Sequence, residues 1–494
     1  MKKLSCFLKN MAAAVVVFAM CVAFMGCSND NGDESEGPKT SGYETPGNSM
    51  SGIVGPRANN ADDPANGIFV SPNGNDAAAT GSIDAPYKSI NTALAAASPG
   101  DTIILRSGTY QEGINVRPRK PNITIKSRKG EWAVIDLVAY NSGADEDSGV
   151  YFDPDASGCK LQCLEIKGGF YAVCMETKWD WGDPNDRSGA SNIVIEDCIL
   201  HDSRNDVVKV KPNCNNITIR YNEIYNSGRA YVDYPDFKTG ERNSEGIDNV
   251  NGGGMHVHYN YIHDICSNGI YAKGGAVDAL IENNRIERTY GAGIMAGFDT
   301  SPEYFDIKTN PKYYENIGGI VRNNLIIDAG WEGIGLYASK DVQVYNNTVV
   351  NAVSGISHYH SPIYFGVATQ DWDNPAGCPP NVNTNIHHNI VSQSAAFNRP
   401  MIEIRYATGV YSFGLSALDG KPTMDNNCYY IAGESASFTD NRPGSTLENA
   451  GLAAWKSHIG GEGSSLEVDP ALDADYMPTN AQCAGMGIQA PLKP

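Results

Sequence analysis

From about residue 190 onward, apolar and polar residues alternate in short runs, each closed by an amide or acid and a further apolar residue. The runs read NIVIEDCI, ITIRYNEI, MHVHYNYI, ALIENNRI, GIVRNNLI, VQVYNNTV and TNIHHNIV. Alternation with a period of two marks a strand, whereas a helix needs apolar residues at i, i+3, i+4 and i+7. The Asn and Gly content weakens helices further. Aligned on Asp197, Asn222, Asn260, Asn284, Asn324, Asn347 and Asn389, the runs are spaced by 25, 38, 24, 40, 23 and 42 residues. A unit of 23–25 residues therefore repeats, lengthened in alternate copies by insertions of roughly 15.

Short strands separated by turns once per unit predict an all-β chain wound as a parallel β-solenoid. Stacking would align the marked residues in a ladder, each amide bonded to the next across about 4.8 Å. A second beat follows about ten residues after each amide: VVKVK (207–211), GIDNV (246–250), GIYAK (269–273), GIMAG (293–297), GIGLY (333–337) and GISHY (355–359). Ile247, Ile270, Ile294, Ile334 and Ile356 are expected to point inward, so their neighbours point outward. Asp248 and Tyr271 then share one outward column, with Lys209 below them. Lys211 and Lys273 share the next, because lysine is rarely buried unpaired.

Three insertions flank this face. AYVDYPDFKTGERN (230–243) enters it from one side, while DTSPEYFDIKTNPKYYEN (299–316) and HYHSPIYFGVATQDWDNPAGCPPNVNT (358–384) leave on the other. Long loops on a rigid scaffold wall a cleft and tend to carry function. They bring Tyr231, Tyr234, Tyr304, Tyr313, Tyr314, Tyr364 and Trp372, flat rings suited to sugars. Arg229 and Arg242 are placed at the rim, and Asn249 and Asn251 among the substrate-binding groups. The column of Arg220, His258, Glu282, Arg322, Tyr345 and His387 has no walling loop and reads as structural, His256 included.

The coils, the segment IFVSPNGNDAAATGSIDAPYKSINTALAAASPGDTIILRSGTY (68–110) and AAWKSHIGGEGSSLEVDPAL (453–472) together resemble the right-handed parallel β-helix polysaccharide lyases. The first segment resembles their N-terminal cap, with Ser89–Ala97 as an amphipathic helix over the open end. The second resembles a tail that follows the last coil. The resemblance implies a right-handed parallel β-helix over residues 63–494, with a cap at 63–110 and a tail from about 440. It also implies β-elimination on a uronic-acid polymer. That reaction removes the C5 proton beside a carboxylate, so the carboxylate must be neutralised and a base supplied. A lysine crowded by cations can serve as that base. On this reading Lys273 is the base, Lys211 and Arg229 hold the carboxylate, and Tyr271 assists at the leaving oxygen. Lys209 and Asp248 complete the floor. Asp248, Glu245 and Asp299 are the candidate ligands for Ca²⁺.

The calcium-type aspartate cluster of β-helix pectate lyases is not visible in the coils. The NTD, DD and GHG phrases of β-helix polygalacturonases are missing as well, which lowers the hydrolase reading. Glycosaminoglycans (chondroitin sulfate, dermatan sulfate, hyaluronan) are therefore the expected substrates by family analogy. Pectate or alginate lyase is the alternative, and a non-catalytic glycan-binding surface protein the other class.

Charge and the N-terminus add an address. Lys2, Lys3 and Lys9 precede an apolar run from Met11 to Met25, too short and too near the terminus for a membrane span. It ends in Phe24-Met25-Gly26-Cys27, which resembles a bacterial lipobox. This implies that residues 1–26 are a signal peptide cleaved before Cys27, whose thiol takes lipid. Residues 27–62 are acidic, rich in Gly, Ser and Pro, and read as a flexible tether. Acid directly after the lipid cysteine resembles the surface-export signal of Bacteroidota lipoproteins, so an outer-membrane protein facing the exterior is expected. The net charge of −20 argues against nucleic acid as a partner. A monomer acting on an acidic polysaccharide is expected. Outside the leader and Cys27, nine irregularly spaced cysteines remain, which is not a disulfide framework. They read as small buried side chains with room for one or two bridges.

Overall fold

The computed structural model describes residues 52–139, 147–179, 187–230, 243–355, 360–368, 379–408 and 414–494. Strand pairs with strand one coil later, almost always in parallel, and three long sheets result. Among the described residues the first has twelve strands, from Ile68–Val70 to Thr423–Asp425. The second has twelve, from Gly108–Tyr110 to Leu466–Glu467, and the third eleven, from Val150–Phe152 to Leu447–Ala450. This is the expected parallel β-helix.

Its interior follows from the period of two. Val208, Ile247, Ile270, Ile294, Ile334, Ile363 and Ile402 stand opposite one another on successive coils of the third sheet, all fully buried. Each such side chain is worth about 1.5–3 kcal/mol when buried. The coil above Ile334 departs from the sequence reading. Its strand is Ile363–Gly366 rather than GISHY, and Ile356 lies outside the described residues. The expected 358–384 loop is thus divided by a strand, which places Tyr364 on the sheet.

The corner between the first and second sheets holds the amide ladder. Asn222, Asn260, Asn284, Asn324, Asn347, Asn389 and Asn427 are fully buried. The Oδ1 of Asn284, for example, accepts from the backbone N and the Nδ2 of Asn260, each at 3.0 Å. The residue before each ladder position adopts a left-handed backbone, as in Tyr259 (φ 56°) and Asn283 (φ 54°). One such residue turns the chain sharply into the next sheet, and the fully bonded amide offsets its strain. Asp197 is not a rung, contrary to the sequence alignment. Cys198 holds that position and donates its N–H to Asn222 Oδ1, while Asp197 is the left-handed residue (φ 55°) and binds Arg57 outside. Asn427 adds a rung beyond Asn389, whose Nδ2 donates to its Oδ1 at 3.1 Å.

Both ends are covered. The helix Ile90–Ala96, N-capped by Ser89, buries Ile90, Ala93 and Leu94 at one end. The helix Leu452–Ile459 buries Trp455 at the other, stacked 5.4 Å from Phe438. The tail then returns along the outer face of the second sheet. Met486 and Cys483 pack on Ile390 and Cys428, and Ile488 and Leu492 on Leu325 and Ile327. At Lys493 it meets the N-terminal segment, where Ile53 pairs with Lys493. Val54 is buried, Arg57 binds Asp197, and Asp63 binds Lys126. The expected tether therefore ends before residue 62, because residues 52–63 complete a strap along the coils.

Candidate functional site

The candidate site stands on the outer face of the third sheet, on the strands Val208–Val210, Ile247–Val250 and Ile270–Lys273. Lys209 is opposite Asp248, Asp248 opposite Tyr271, and Val250 opposite Lys273. The outward columns thus take the expected register. Lys209 forms ion pairs with Asp248 and, at 3.2 Å, with Asp206.

Asp206 and Glu245 occupy equivalent places, each two residues before the inward residue of its strand. The chain links them directly, since the Glu245 N–H donates to Asp206 Oδ1 at 3.0 Å. Asp206, Glu245 and Asp248 each offer an oxygen within 4.8 Å of the others, and all three are buried. Glu245 Oε2 and Asp248 Oδ1 are enclosed without a hydrogen bond among the described residues, and Asp206 Oδ2 meets only the Lys209 ammonium there, at 3.2 Å. Burial raises Glu245 well above the usual carboxylate range, reinforced by Asp206 and Asp248. Burial raises Asp206 too. Burial also acts against Asp248, but Lys209 and Lys273 outweigh it and hold that group below its ordinary value. Lys209, though buried, is raised by Asp248 and Asp206. Lys209 supplies one positive charge for three carboxylates, and hard oxygens with unused lone pairs fit a divalent cation such as Ca²⁺ or Mg²⁺. Asp299, expected as a ligand, is not in this group; Asp206 stands in the set instead.

Lys273 rises beside the cluster. Its ammonium is 4.4 Å from the ring centroid of Tyr271 and has no hydrogen bond or ion pair among the described residues. The sequence places it among cations, whereas its charged neighbours include Glu245, Asp248 and Glu315. Tyr271 is buried, and burial followed by Glu245 and Asp248 raises its hydroxyl well above the usual value. Its ring joins Met295, Tyr337 and Tyr364 in an apolar floor. Gly366 must be bare here, because a Cβ would lie 1.9 Å from the Tyr337 ring.

Glu315 closes the site from the 299–316 loop. It accepts from the Gly274 N–H at 2.7 Å, the Thr300 N–H at 2.9 Å and the Thr300 hydroxyl at 2.7 Å. Burial pushes it up to about 8.

Other expected residues are engaged elsewhere. Lys211 pairs with Glu176 at 2.6 Å. Arg229 donates to the carbonyls of Asp202 and Val138. Asn249 faces the interior, opposite Ala272, and its side chain bonds both the N–H and carbonyl of Gly252, so it is not a substrate group. Asn251 donates to the Tyr304 carbonyl at 2.6 Å and fastens the loop. Tyr364 is fully buried on its strand, not a loop ring open to sugar. Tyr313 packs edge-on to Phe305. Cys27, Tyr231, Tyr234, Arg242 and Trp372 lie outside the described residues. His256 and His258 stack at 3.9 Å, and burial lowers His258 to about 3.

A family model described as "Right handed beta helix region" matches residues 148–310 and 245–428. Another, "Protein of unknown function (DUF1565)", matches residues 72–117. Pectate lyase PEL9 of Emericella nidulans is 35% identical over 119 residues, 22% of this chain. The match covers only 29% of that relative's length. Among solved structures, pectate lyase Pel9A has a TM-score of 0.37 at 16% identity, with 76% of this chain and 77% of that chain covered. The A-module of the Azotobacter vinelandii mannuronan C-5 epimerase AlgE4 has a TM-score of 0.45 at 13% identity, with 70% and 91% covered.

Proposed function

Because the chain belongs to the right-handed β-helix family, with an acid-lined floor beside a lysine that rests on a tyrosine ring, we propose that it is a polysaccharide lyase. It would cleave uronate polymers by β-elimination. The observation that carries this reading is Lys273, whose ammonium rests on Tyr271 beside Asp206, Glu245 and Asp248. The Lys273 Nζ would take the C5 proton, and the C4 oxygen would depart to leave a C4=C5 double bond. Asp206, Glu245 and Asp248 would hold a divalent cation, whose positive charge neutralises the uronate carboxylate and so acidifies the C5 proton. Lys209 keeps Asp248 ionised and in place. Tyr271 presents its phenol from the same face and, protonated at neutral pH, can give a proton toward the leaving oxygen.

The oxygen cluster and the stretch related to a pectate lyase favour a pectate-type polymer over the glycosaminoglycans expected from sequence. The test incubates the purified protein with polygalacturonate, alginate, chondroitin sulfate and hyaluronan, with and without chelator. Unsaturated product from polygalacturonate alone supports the reading, and from chondroitin sulfate or hyaluronan the glycosaminoglycan one. New reducing ends without unsaturation mean a hydrolase, and retention without cleavage a binding protein. Lipid attachment at Cys27 and an outer-membrane position facing the exterior belong to the same proposal. Loss of fatty-acid labelling in Cys27→Ala is the expected outcome there.

A further inference from the structure

The strap along the second sheet contains no long strand. Between Cys483 and Lys493 its polar anchors include Gly487 N–H to the His388 carbonyl at 2.8 Å and Ile488 N–H to Thr348 Oγ1 at 3.0 Å. Contact is nevertheless close, since a Cβ at Gly487 (φ +71°) would meet Thr348 Oγ1 at 2.6 Å and Ile390 Cδ1 at 2.8 Å. At its far end Cys483, in the short helix Ala481–Cys483, faces Cys428 on the strand Cys428–Ile431. The sulfurs are 3.5 Å apart, and both residues are fully buried among Ile390 and Met486.

Other buried thiols here point at carbonyls: Cys159 at Lys120, Cys198 at Glu196, and Cys214 at Glu176. Cys428 meets the Val468 carbonyl at 3.4 Å, and Cys483 points at the Cys428 sulfur. The pair spans 55 residues of sequence and joins the tail to a coil whose register is fixed by the amide ladder.

We propose that Cys428 and Cys483 close a disulfide that latches the far end of the strap. A disulfide needs the sulfurs at about 2.05 Å, a small adjustment of two side chains already in contact. The oxidant is an external disulfide, R–S–S–R, supplied by a small thiol pool or a dithiol oxidase. One cysteine thiolate attacks a sulfur of R–S–S–R and expels RS⁻. The second thiolate then attacks the mixed disulfide and expels another. One Cys428–Cys483 bond forms, two RSH are released carrying the two thiol protons, and two electrons pass to the oxidant. Burial raises the pKa of both thiols, so neither ionises readily once the tail has docked. Closure therefore belongs to the docking of the tail during folding.

The experiment refolds the full chain in oxidised and reduced glutathione, alkylates it in denaturant and maps its peptides without reduction. The expected result is a linked Cys428–Cys483 peptide lighter by two hydrogens, with Cys159, Cys198 and Cys214 alkylated. Limited proteolysis then compares oxidised wild type, reduced wild type and Cys483→Ser, with cutting at 468–482 faster in the last two. Full alkylation of both cysteines after oxidative refolding, or linkage of either to another cysteine, would overturn the proposal. So would a linked pair whose reduction leaves tail cleavage unchanged. If Cys483→Ser does not fold, the wild-type map and the reduced wild type decide.

Discussion

The ammonium of Lys273 sits 4.4 Å from the ring centroid of Tyr271, two residues earlier on the same strand and on the same outward face. The strand period alone produces this pairing. It gives the lysine a platform, with no carboxylate among the described residues bound directly to its nitrogen. Removing the phenol while keeping the ring separates platform from chemistry. Tyr271→Phe should retain the thermal stability of wild type and lose roughly 10–100-fold in kcat, with KM within a few-fold. Steady-state kinetics on polygalacturonate checks it, and unchanged kcat would remove Tyr271 from the proton path.

The carboxylate cluster makes cation binding pH-dependent. Glu245 is held protonated above the usual range by burial and by Asp206 and Asp248, so a cation must displace its proton. Calcium affinity measured by titration calorimetry should therefore rise with pH, with a proton released on binding. Glu245→Gln should weaken binding at least tenfold and flatten the slope. At 100-fold excess over Kd, calcium should stabilise wild type by about 2.7 kcal/mol, readable in denaturant melts without any activity assay.

Glu315 couples the 299–316 loop to pH with a definite sign. Its folded value of about 8 lies above its ordinary 4.5, so between the two the folded chain holds a proton that the unfolded chain has released. The stability from this group is complete below about pH 4.5 and is lost as pH rises through about 8. Glu315→Gln should be less stable than wild type at pH 6, because with the amide oxygen kept toward Gly274 N–H and the Thr300 hydroxyl the Thr300 N–H loses its acceptor, by about 1–3 kcal/mol. Its stability should change less between pH 6 and 9, as followed by urea unfolding.

Asn284 tests the ladder. Its Oδ1 takes two bonds from Asn260, and its Nδ2 gives to Asn324 Oδ1, Val257 and Glu282. Asn284→Ala leaves the Asn260 backbone N–H without its acceptor, while Asn260 Nδ2 keeps the Ile219 and His258 carbonyls and Asn324 Oδ1 keeps the backbone N–H of residue 284, at a cost of about 1–3 kcal/mol. A lower denaturation midpoint with the same coil-wide circular dichroism is the expected result.

Much of this was legible in the sequence because a solenoid writes its structure locally. Period-two alternation and the 23–25-residue unit gave the coils, and lysine's aversion to burial gave the register of Lys209, Asp248, Tyr271 and Lys273. The misreadings came from phrases that imitate the repeat. Asp197 precedes an apolar residue as the ladder asparagines do, yet Cys198 holds the rung. GISHY imitates a strand that the chain builds later, at Ile363–Gly366. Asp206 and Glu315 went unread because their meaning is three-dimensional. One stacks against Glu245 only when coils separated by an insertion are superposed, and the other folds back from a loop. A weak signal for Asp206 did exist, in DVVK beside EGID, with an acid two residues before each inward side chain.

The most direct measurement is the ultraviolet absorbance of the C4=C5 product formed from polygalacturonate by wild type and by Lys273→Ala, both saturated with calcium. Wild type should generate unsaturated product that chelation abolishes, and the folded variant should be slower by roughly 10²–10⁴. Equal rates for the two proteins, or product from neither alongside undiminished binding, would contradict it.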